Sequence, residues 1–234
     1  YQAKAEIYRN GELLFQLESN VYTYYWNFSY VTMKDGKTCL LAASISDNDW
    51  TAELLLLSQE DEDSLTIVGD LAELSRKNDE TSSNFLSGWA RFSYVIPSEK
   101  ENTFAVVWCE TLHATGIVQT ELTYELAEDG ISLKEPPYRI WRMGQDGEIN
   151  ETEQEWTAIS ALDVKKEPGS EETAYTVQPE ETVTLLETTC QDGKIWILCE
   201  NSSKEQGWLE DPEEYLYDES TGCSGCFKEA FFAG

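Results

Sequence analysis

The sequence predicts an all-β protein, with an N-terminal duplicated four-stranded meander and a small C-terminal barrel. Short apolar or alternating segments separated by turn residues recur along the chain, as expected for buried and half-buried strands. The segment Phe-Ser-Tyr-Val occurs at residues 28–31 and again at residues 92–95, each time before the same order of predicted strands. Trp196 and Trp208 stand in two of the short C-terminal segments, where they supply apolar area for a small core.

The first residues form a predicted hairpin, and the first meander follows it. Residues 7–9 and 12–15 flank Asn10-Gly11, a dipeptide that accepts the positive φ angles of a tight turn. The first strand of the meander is the aromatic-rich segment at residues 22–31. We predict its other three strands at residues 39–45, 53–58 and 65–69.

The second meander repeats this order. Its first strand contains residues 92–95, and the other three are predicted at residues 103–107, 119–126 and 131–133. A short helix at residues 71–77 lies in the connection, because Leu71 and Leu74 stand among good helix formers. Each repeat is propeller-like, but two are too few to close a propeller. We therefore expect a sandwich of two sheets or one closed or half-open barrel; a chance match of the repeated segment is the alternative.

The composition changes after the second repeat. Pro136-Pro137 closes the repeat region, and residues 144–155 are polar and acidic. We therefore predict a linker there. The predicted domains are a β-meander repeat domain at residues 1–140, a linker at 141–156, a barrel domain at 157–218 and a cysteine-containing tail at 219–234.

Four short motifs follow one another in the predicted barrel. They are Ala-Leu-Asp-Val-Lys at residues 161–165, Thr-Val-Thr-Leu at 182–185, Trp-Ile-Leu at 196–198 and Gly-Trp-Leu at 207–209. In this order they resemble the bacterial SH3-like (SH3b) domain family, over about residues 157–217. The chain departs from the family where Lys165-Lys166 replaces an arginine and where Pro179-Glu180 replaces a glycine. The resemblance implies an SH3-like barrel; the N-terminal region resembles no family.

The resemblance also implies a secreted or cell-envelope protein that binds wall peptide, glycan or another protein. The candidate ligand-binding residues are Tyr175, Trp196, Trp208 and Tyr215. The alternative is that both tryptophans belong to the core. Members of this family often accompany Cys/His peptidases, but the one histidine here, His113, lies in the other predicted domain. No local motif places a nucleophile beside it.

The charge balance restricts the partners. With 45 acidic and 16 basic residues, the formal net charge is −29. Such a surface repels nucleic acid and anionic lipid and suits cationic partners, neutral glycans or divalent metal; solubility alone is the other interpretation. No apolar run approaches the roughly 20 residues of a membrane helix, so we predict no membrane span and no nucleic-acid partner. The oligomeric state stays open.

The first residue bears on localisation. The chain begins at Tyr1 with no methionine, which is compatible with a removed leader or anchor. We therefore expect an extracellular or envelope-attached protein, with a lipoprotein as one option.

The six cysteines fall into two groups. Cys39 and Cys109 lie in apolar runs and are predicted to be buried free thiols. The other four are Cys190, Cys199, Cys223 and Cys226. In an exported protein a disulfide is plausible here, and we predict at least one from the last two cysteines back to Cys190 or Cys199, pinning the tail to the barrel.

Metal binding is only weakly indicated. The acidic turns at residues 47–49, 60–63 and 218–219 lack the spacing of a calcium loop. The pair Cys223 and Cys226 has zinc-knuckle spacing, but further ligands would have to come from His113 or other cysteines. We predict no metal and no cofactor.

The sequence therefore predicts a non-enzymatic, exported binding protein of a bacterial envelope. No nucleophile elbow, phosphate loop or zinc-peptidase helix is present in the sequence. An alternative is an envelope hydrolase that uses acidic residues of the N-terminal domain. A third possibility is a structural spacer in a larger assembly.

Overall fold

The computed structural model describes residues 3–19, 22–61, 64–76, 86, 90–128, 130–143, 154–214, 217–218 and 223–230. Its strands and helix, in chain order, are β1 (Lys4–Arg9), β2 (Glu12–Glu18), β3 (Tyr25–Thr32), β4 (Thr38–Ile45), β5 (Thr51–Asp61), β6 (Ser64–Asp70), α1 (Leu71–Ser75), β7 (Arg91–Pro97), β8 (Thr103–Leu112), β9 (Gly116–Ala127), β10 (Gly130–Leu133), β11 (Tyr138–Arg142), β12 (Glu155–Thr157), β13 (Leu162–Lys165), β14 (Thr173–Val177), β15 (Thr182–Gln191), β16 (Lys194–Asn201), β17 (Gln206–Glu210), β18 (Tyr217–Asp218) and β19 (Cys223–Ser224).

The chain is almost all β, with several antiparallel sheets and no closed barrel in its described part. The predicted all-β class is confirmed. The structure divides into two compact units. Unit 1 comprises residues 1–76, 88–108 and 122–134, and unit 2 comprises residues 77–87, 109–121 and 135–234. The predicted linker at residues 141–156 falls within unit 2, and residues 144–153 lie outside the described part.

The structure contains the two meanders that the sequence predicts. The first lies in unit 1, and of the second, residues 109–112 of β8 and 116–121 of β9 belong to unit 2. The first has the strand order β3-β4-β5-β6, and the second runs from β7 through β8 and β9 to β10. Each copy of Phe-Ser-Tyr-Val lies in the first strand of its meander, in β3 and in β7. Strand β7 packs against β3 and β5, and β10 packs against β6. The repeats therefore pack on each other as sheets, which is the first of the predicted arrangements.

A hairpin covers one face of the first meander. Strands β1 and β2 pair, and Asn10 and Gly11 between them have φ angles of 52° and 88°, so the predicted tight turn is confirmed. Leu17 of this hairpin packs on Ala42 and Leu57. Burial of these apolar side chains holds the hairpin on the sheet.

Helix α1 follows the first meander directly. The side chain of Asp70 accepts a hydrogen bond from the backbone N–H of Ala72 at 2.9 Å, which caps the first turn. Leu71 and Ala72 are buried. The predicted helix at residues 71–77 is thus confirmed over Leu71–Ser75, and it ends at Arg76.

Unit 2 corrects one part of the sequence prediction. Its strands follow the order β14-β13-β17-β16-β15-β11-β9, with β12 also on β15. The predicted SH3-like barrel at residues 157–218 is therefore not closed: β15 pairs with β11 and β12 instead of with β14. Strand β15 is ten residues long. One of its edges pairs with β16, and the other is long enough to pair with both β11 and β12.

The C-terminal segment belongs to unit 2. The backbone N–H of Ile159 donates to the carbonyl of Cys226 at 3.0 Å, and the N–H of Lys228 donates to the carbonyl of Thr157 at 2.9 Å. Ala158 donates on its other side to Glu181. Residues 157–159 therefore lie between β15 and the C-terminal segment, which contributes an isolated antiparallel bridge between Ala158 and Phe227.

Candidate functional site

A polar groove in unit 2 is the candidate binding site. It has a volume of about 440 Å³. Strand β14 and the start of β15 form one side, and the turn between β16 and β17 forms the other. Its lining consists of residues 175–177, 180–183, 201–203 and Glu205.

Hydrogen bonds within the two bordering turns hold the walls of this groove in place. Asn201 accepts the backbone N–H groups of Ser203 and Glu205 at 2.9 and 3.0 Å. Its amide nitrogen donates to the carboxylate of Glu205 at 2.9 Å. In the other turn, Glu181 accepts the backbone N–H of Gln178 at 2.8 Å. These local bonds preorganise the groove, because each side chain caps its own turn.

The lining of the groove is acidic. Glu180, Glu181 and Glu205 contribute carboxylates, and no lysine, arginine or histidine is among the lining residues. Lys228 of the C-terminal segment forms an exposed ion pair with Glu180, which is weak in water. The groove is therefore suited to ligands that carry amine groups or hydroxyls, and it disfavours anions.

The structure describes three of the four predicted site residues and places them apart. Tyr175 lines the groove, and its hydroxyl donates to the carbonyl of Cys199 at 2.9 Å. Burial raises the pKa of this hydroxyl above its usual range, so it stays protonated at neutral pH. Trp196 is buried and Trp208 is half-buried. Tyr215 lies outside the described residues.

The strand register explains this separation. Tyr175 pairs with Val164, whereas Trp208 pairs with the next residue of β13, Lys165. Successive residues of a strand point to opposite faces, so Tyr175 and Trp208 do not share a face. Trp196 and Trp208 lie on the same face, because Trp196 pairs with Glu210 and Leu198 pairs with Trp208. The three described members of the predicted set therefore do not share one face.

The groove contains residues that the sequence analysis missed. Asn201 and Glu205 belong to the turn after β16, and their roles depend on β14 lying across from that turn. The only local signal was Asn201-Ser202-Ser203, a cluster typical of turns.

A second polar cluster in unit 2 involves the single histidine. Asp211 accepts the backbone N–H groups of His113 and Ala114 at 3.1 and 2.7 Å. His113 donates from Nδ1 to the carbonyl of Pro212 at 2.5 Å. Ala114 in turn accepts the backbone N–H of Cys226 at 2.7 Å. Asp211 thus helps to hold the turn on which the C-terminal segment is docked.

The side-chain carboxyl of Asp211 has a raised pKa. Burial raises the pKa of Asp211 to about 6 from the ordinary value of 3.8, despite the two backbone donors and His113, which lower the pKa. Because the folded-state pKa is the higher one, the contribution of Asp211 to stability is largest below about pH 4 and is lost as the pH rises through about 6.

We expect Asp211→Asn to show this dependence. The amide offers one acceptor oxygen to two N–H groups, so the variant should be about 1–3 kcal/mol less stable near pH 4.5. The difference from the unsubstituted protein should shrink toward about pH 7.5, where the ionised carboxyl is disfavoured. Urea unfolding at both pH values measures this, with the exposed Asp163→Asn as control. A difference that grows with rising pH would contradict the prediction.

None of the cysteines whose side chains are described takes part in a disulfide. The side chains of Cys39, Cys190, Cys199 and Cys226 are buried, and that of Cys109 is half-buried. The predicted disulfide is therefore wrong in this structure, because every predicted pairing required Cys190 or Cys199. Backbone hydrogen bonds and the packing of Phe227 hold the C-terminal segment instead. The side chain of Cys223 lies outside the described residues.

These thiols are poorly suited to nucleophilic chemistry. Burial raises the pKa of Cys226 to about 12 and raises the pKa of Cys199 further above its usual range. Both thiols therefore remain protonated at neutral pH. The reactive form of cysteine is the thiolate, so neither side chain is a ready nucleophile.

Metal ligands do not converge in the described part of the chain. Within it, no group of three or more His, Cys, Asp or Glu side chains is arranged to hold a metal ion. The acidic side chains of residues 60–63 and 218–219 lie outside the described part. In the same part, no helix combines the length and apolar character that a membrane crossing requires.

Comparison with protein-family profiles, with characterised proteins and with solved structures found no match to this chain. The resemblance of residues 157–217 to the bacterial SH3-like family therefore stays a prediction.

Proposed function

We propose that this chain is a non-catalytic binding protein of a bacterial cell envelope and that the unit 2 groove is its ligand-binding surface. The observation that carries the proposal is the groove itself. It is held by the side chains of Asn201 and Glu181 and has about the volume of a small-ligand site. The envelope setting rests on the resemblance to the SH3-like family.

The chemistry of the groove favours a polar peptide, glycan or protein segment that carries amine groups. Carboxylates of Glu181 and Glu205 attract an ammonium group, and the hydroxyls of Thr176, Thr182 and Ser202 can bond to polar groups of the same ligand. Wall peptides combine amide and amine groups in this way. The net charge of −29 opposes phosphate-rich wall polymers.

A steric variant tests the groove. Ser202 lines it and is solvent-exposed, so Ser202→Trp should fill the groove without removing buried contacts. We expect its affinity for soluble fragments of purified bacterial wall, measured by calorimetry, to fall at least about tenfold. Glu171→Trp is the matched control, because Glu171 is exposed in the same unit but does not line the groove. Equal binding by the two variants, or no binding by the unsubstituted protein, would refute the proposal.

A further inference from the structure

Unit 1 presents an exposed row of aromatic side chains that the unit 2 groove does not use. We name it the aromatic stripe: Trp26, Phe28 and Tyr30, at alternate positions of β3. Phe28 and Tyr30 are 43% and 72% exposed. Tyr25 begins the same strand but lies on its opposite face. Large exposed apolar side chains on one strand face mark an interaction surface.

The pairing of β3 with β4 determines which side chains share this surface. Phe28 lies opposite Ala42, and Tyr30 lies opposite Leu40. Both belong to the same face of β3 as Trp26, since side chains at every second residue share a face and stand roughly 6.6–6.8 Å apart. Trp26 is half-buried, and its indole N–H donates to the carbonyl of Ala3 at 2.8 Å. The row therefore extends from an anchored indole to two exposed rings.

A pair of hydroxyls continues this row. Thr32 follows Tyr30 on the same face, and its hydroxyl lies 2.9 Å from that of Thr38 on β4. The surface thus combines flat apolar rings with neutral hydroxyl groups. Tyrosine itself has the same amphipathic character, with an apolar ring and a polar tip.

The stripe carries no charge. Residues 19–33 include no acidic or basic side chain, although the chain has 45 acidic and 16 basic residues. A cationic partner would gain more from the acidic surfaces elsewhere, and an anionic partner would be repelled by the net charge of −29. Charge complementarity therefore selects a neutral partner for this strand.

Strand β3 is the edge strand of its sheet. Among the described strands, its one partner is β4, in the order β3-β4-β5-β6. Pairing of this edge with a second copy of the chain is therefore the competing use of the strand, and the experiment tests it through dimerisation.

From these observations we propose that the aromatic stripe binds a neutral polysaccharide. A sugar ring has an apolar C–H face and a rim of uncharged hydroxyls, which match the rings of Phe28 and Tyr30 and the hydroxyls of Thr32 and Thr38. Successive sugars along one strand would stack on successive rings. This site is separate from the unit 2 groove and stands without it.

Binding to insoluble cellulose, chitin and amylose, with polygalacturonate as the anionic control polymer, tests this site. We expect the protein to bind at least one neutral polymer and Phe28→Ala/Tyr30→Ala to lose at least about tenfold in affinity. Tyr30→Phe keeps the ring and should retain most of the binding. Tyr8→Ala removes an exposed tyrosine outside the stripe and should bind normally. Near-UV circular dichroism verifies the fold of each variant.

Four results would overturn the proposal: no binding to any neutral polymer, equal binding by the double variant, preference for polygalacturonate, or dimerisation that the double variant abolishes. The last would assign the stripe to a second copy of the chain. Ser202→Trp, which blocks only the groove, should keep its polysaccharide binding. Failure of the groove and failure of the stripe are therefore distinguishable.

Discussion

Replacing Phe227 with alanine is expected to lower the free energy of unfolding of unit 2 by about 3–5 kcal/mol. The side chain is 1% exposed, and its ring lies edge-on to Trp156 with centroids 5.7 Å apart. Loss of the ring removes this contact and leaves a cavity beside Trp156, which is itself 2% exposed. The predicted effect is large because Phe227 is the apolar anchor of the C-terminal segment.

Urea unfolding measures the change, and thiol labelling locates it. We expect Cys226 of Phe227→Ala to react faster with a thiol reagent in the native state, because the segment opens more often. Phe227→Leu keeps most of the apolar volume and should be much less destabilised. Lys228→Ala removes only an exposed ion pair and should change stability by less than about 1 kcal/mol. If Phe227→Ala resembled Lys228→Ala, the segment would not be part of the fold.

The second large effect is expected for Gly225→Ala, at about 2–5 kcal/mol. Gly225 has a φ angle of +83°, and a Cβ atom there would lie 2.6 Å from the carbonyl oxygen of Ala114 and 3.0 Å from that of His113. The left-handed conformation costs a side-chain-bearing residue about 1–2 kcal/mol, and the overlap with backbone atoms adds about 1–3 kcal/mol. The backbone cannot move aside easily, because Ala114 is bonded to both Asp211 and Cys226.

A glycine in the same unit provides the matched comparison. Gly169 also has a positive φ, +75°, but a Cβ there would meet only the flexible end of Gln191, at 3.1 Å. Gly169→Ala should therefore carry the cost of the left-handed backbone conformation with little steric overlap. Its unfolding midpoint in urea should fall less than that of Gly225→Ala. Equal midpoints would show that the docking of the segment on Ala114 contributes nothing.

Local signals predicted the strands and turns well. Asn10-Gly11 indicated a tight turn, and both residues have positive φ. The repeated Phe-Ser-Tyr-Val indicated two meanders, and it lies in the first strand of each. Such features depend on neighbours a few residues apart, so the amino-acid pattern is enough to predict them.

The candidate groove was predicted only in part. Tyr175 was expected in the site and lines the groove, whereas Trp196 and Trp208 do not. An aromatic residue in a small β domain suits a core as well as a binding surface, and the pattern alone does not distinguish the two. The register of β13 with β14 and β17 decides between the faces.

By itself, the sequence determined the class of the fold, the order of most strands and the excess of negative charge, because these follow from periodicity, turn residues and composition. Only the tertiary structure decided that β15 pairs with β11 and leaves the barrel open. It also decided that Asp211 holds the turn at His113, 98 positions away, and that Phe227 docks against Trp156. The physical reason is that burial and pairing between distant segments depend on which surfaces meet after folding, and no local pattern encodes that choice.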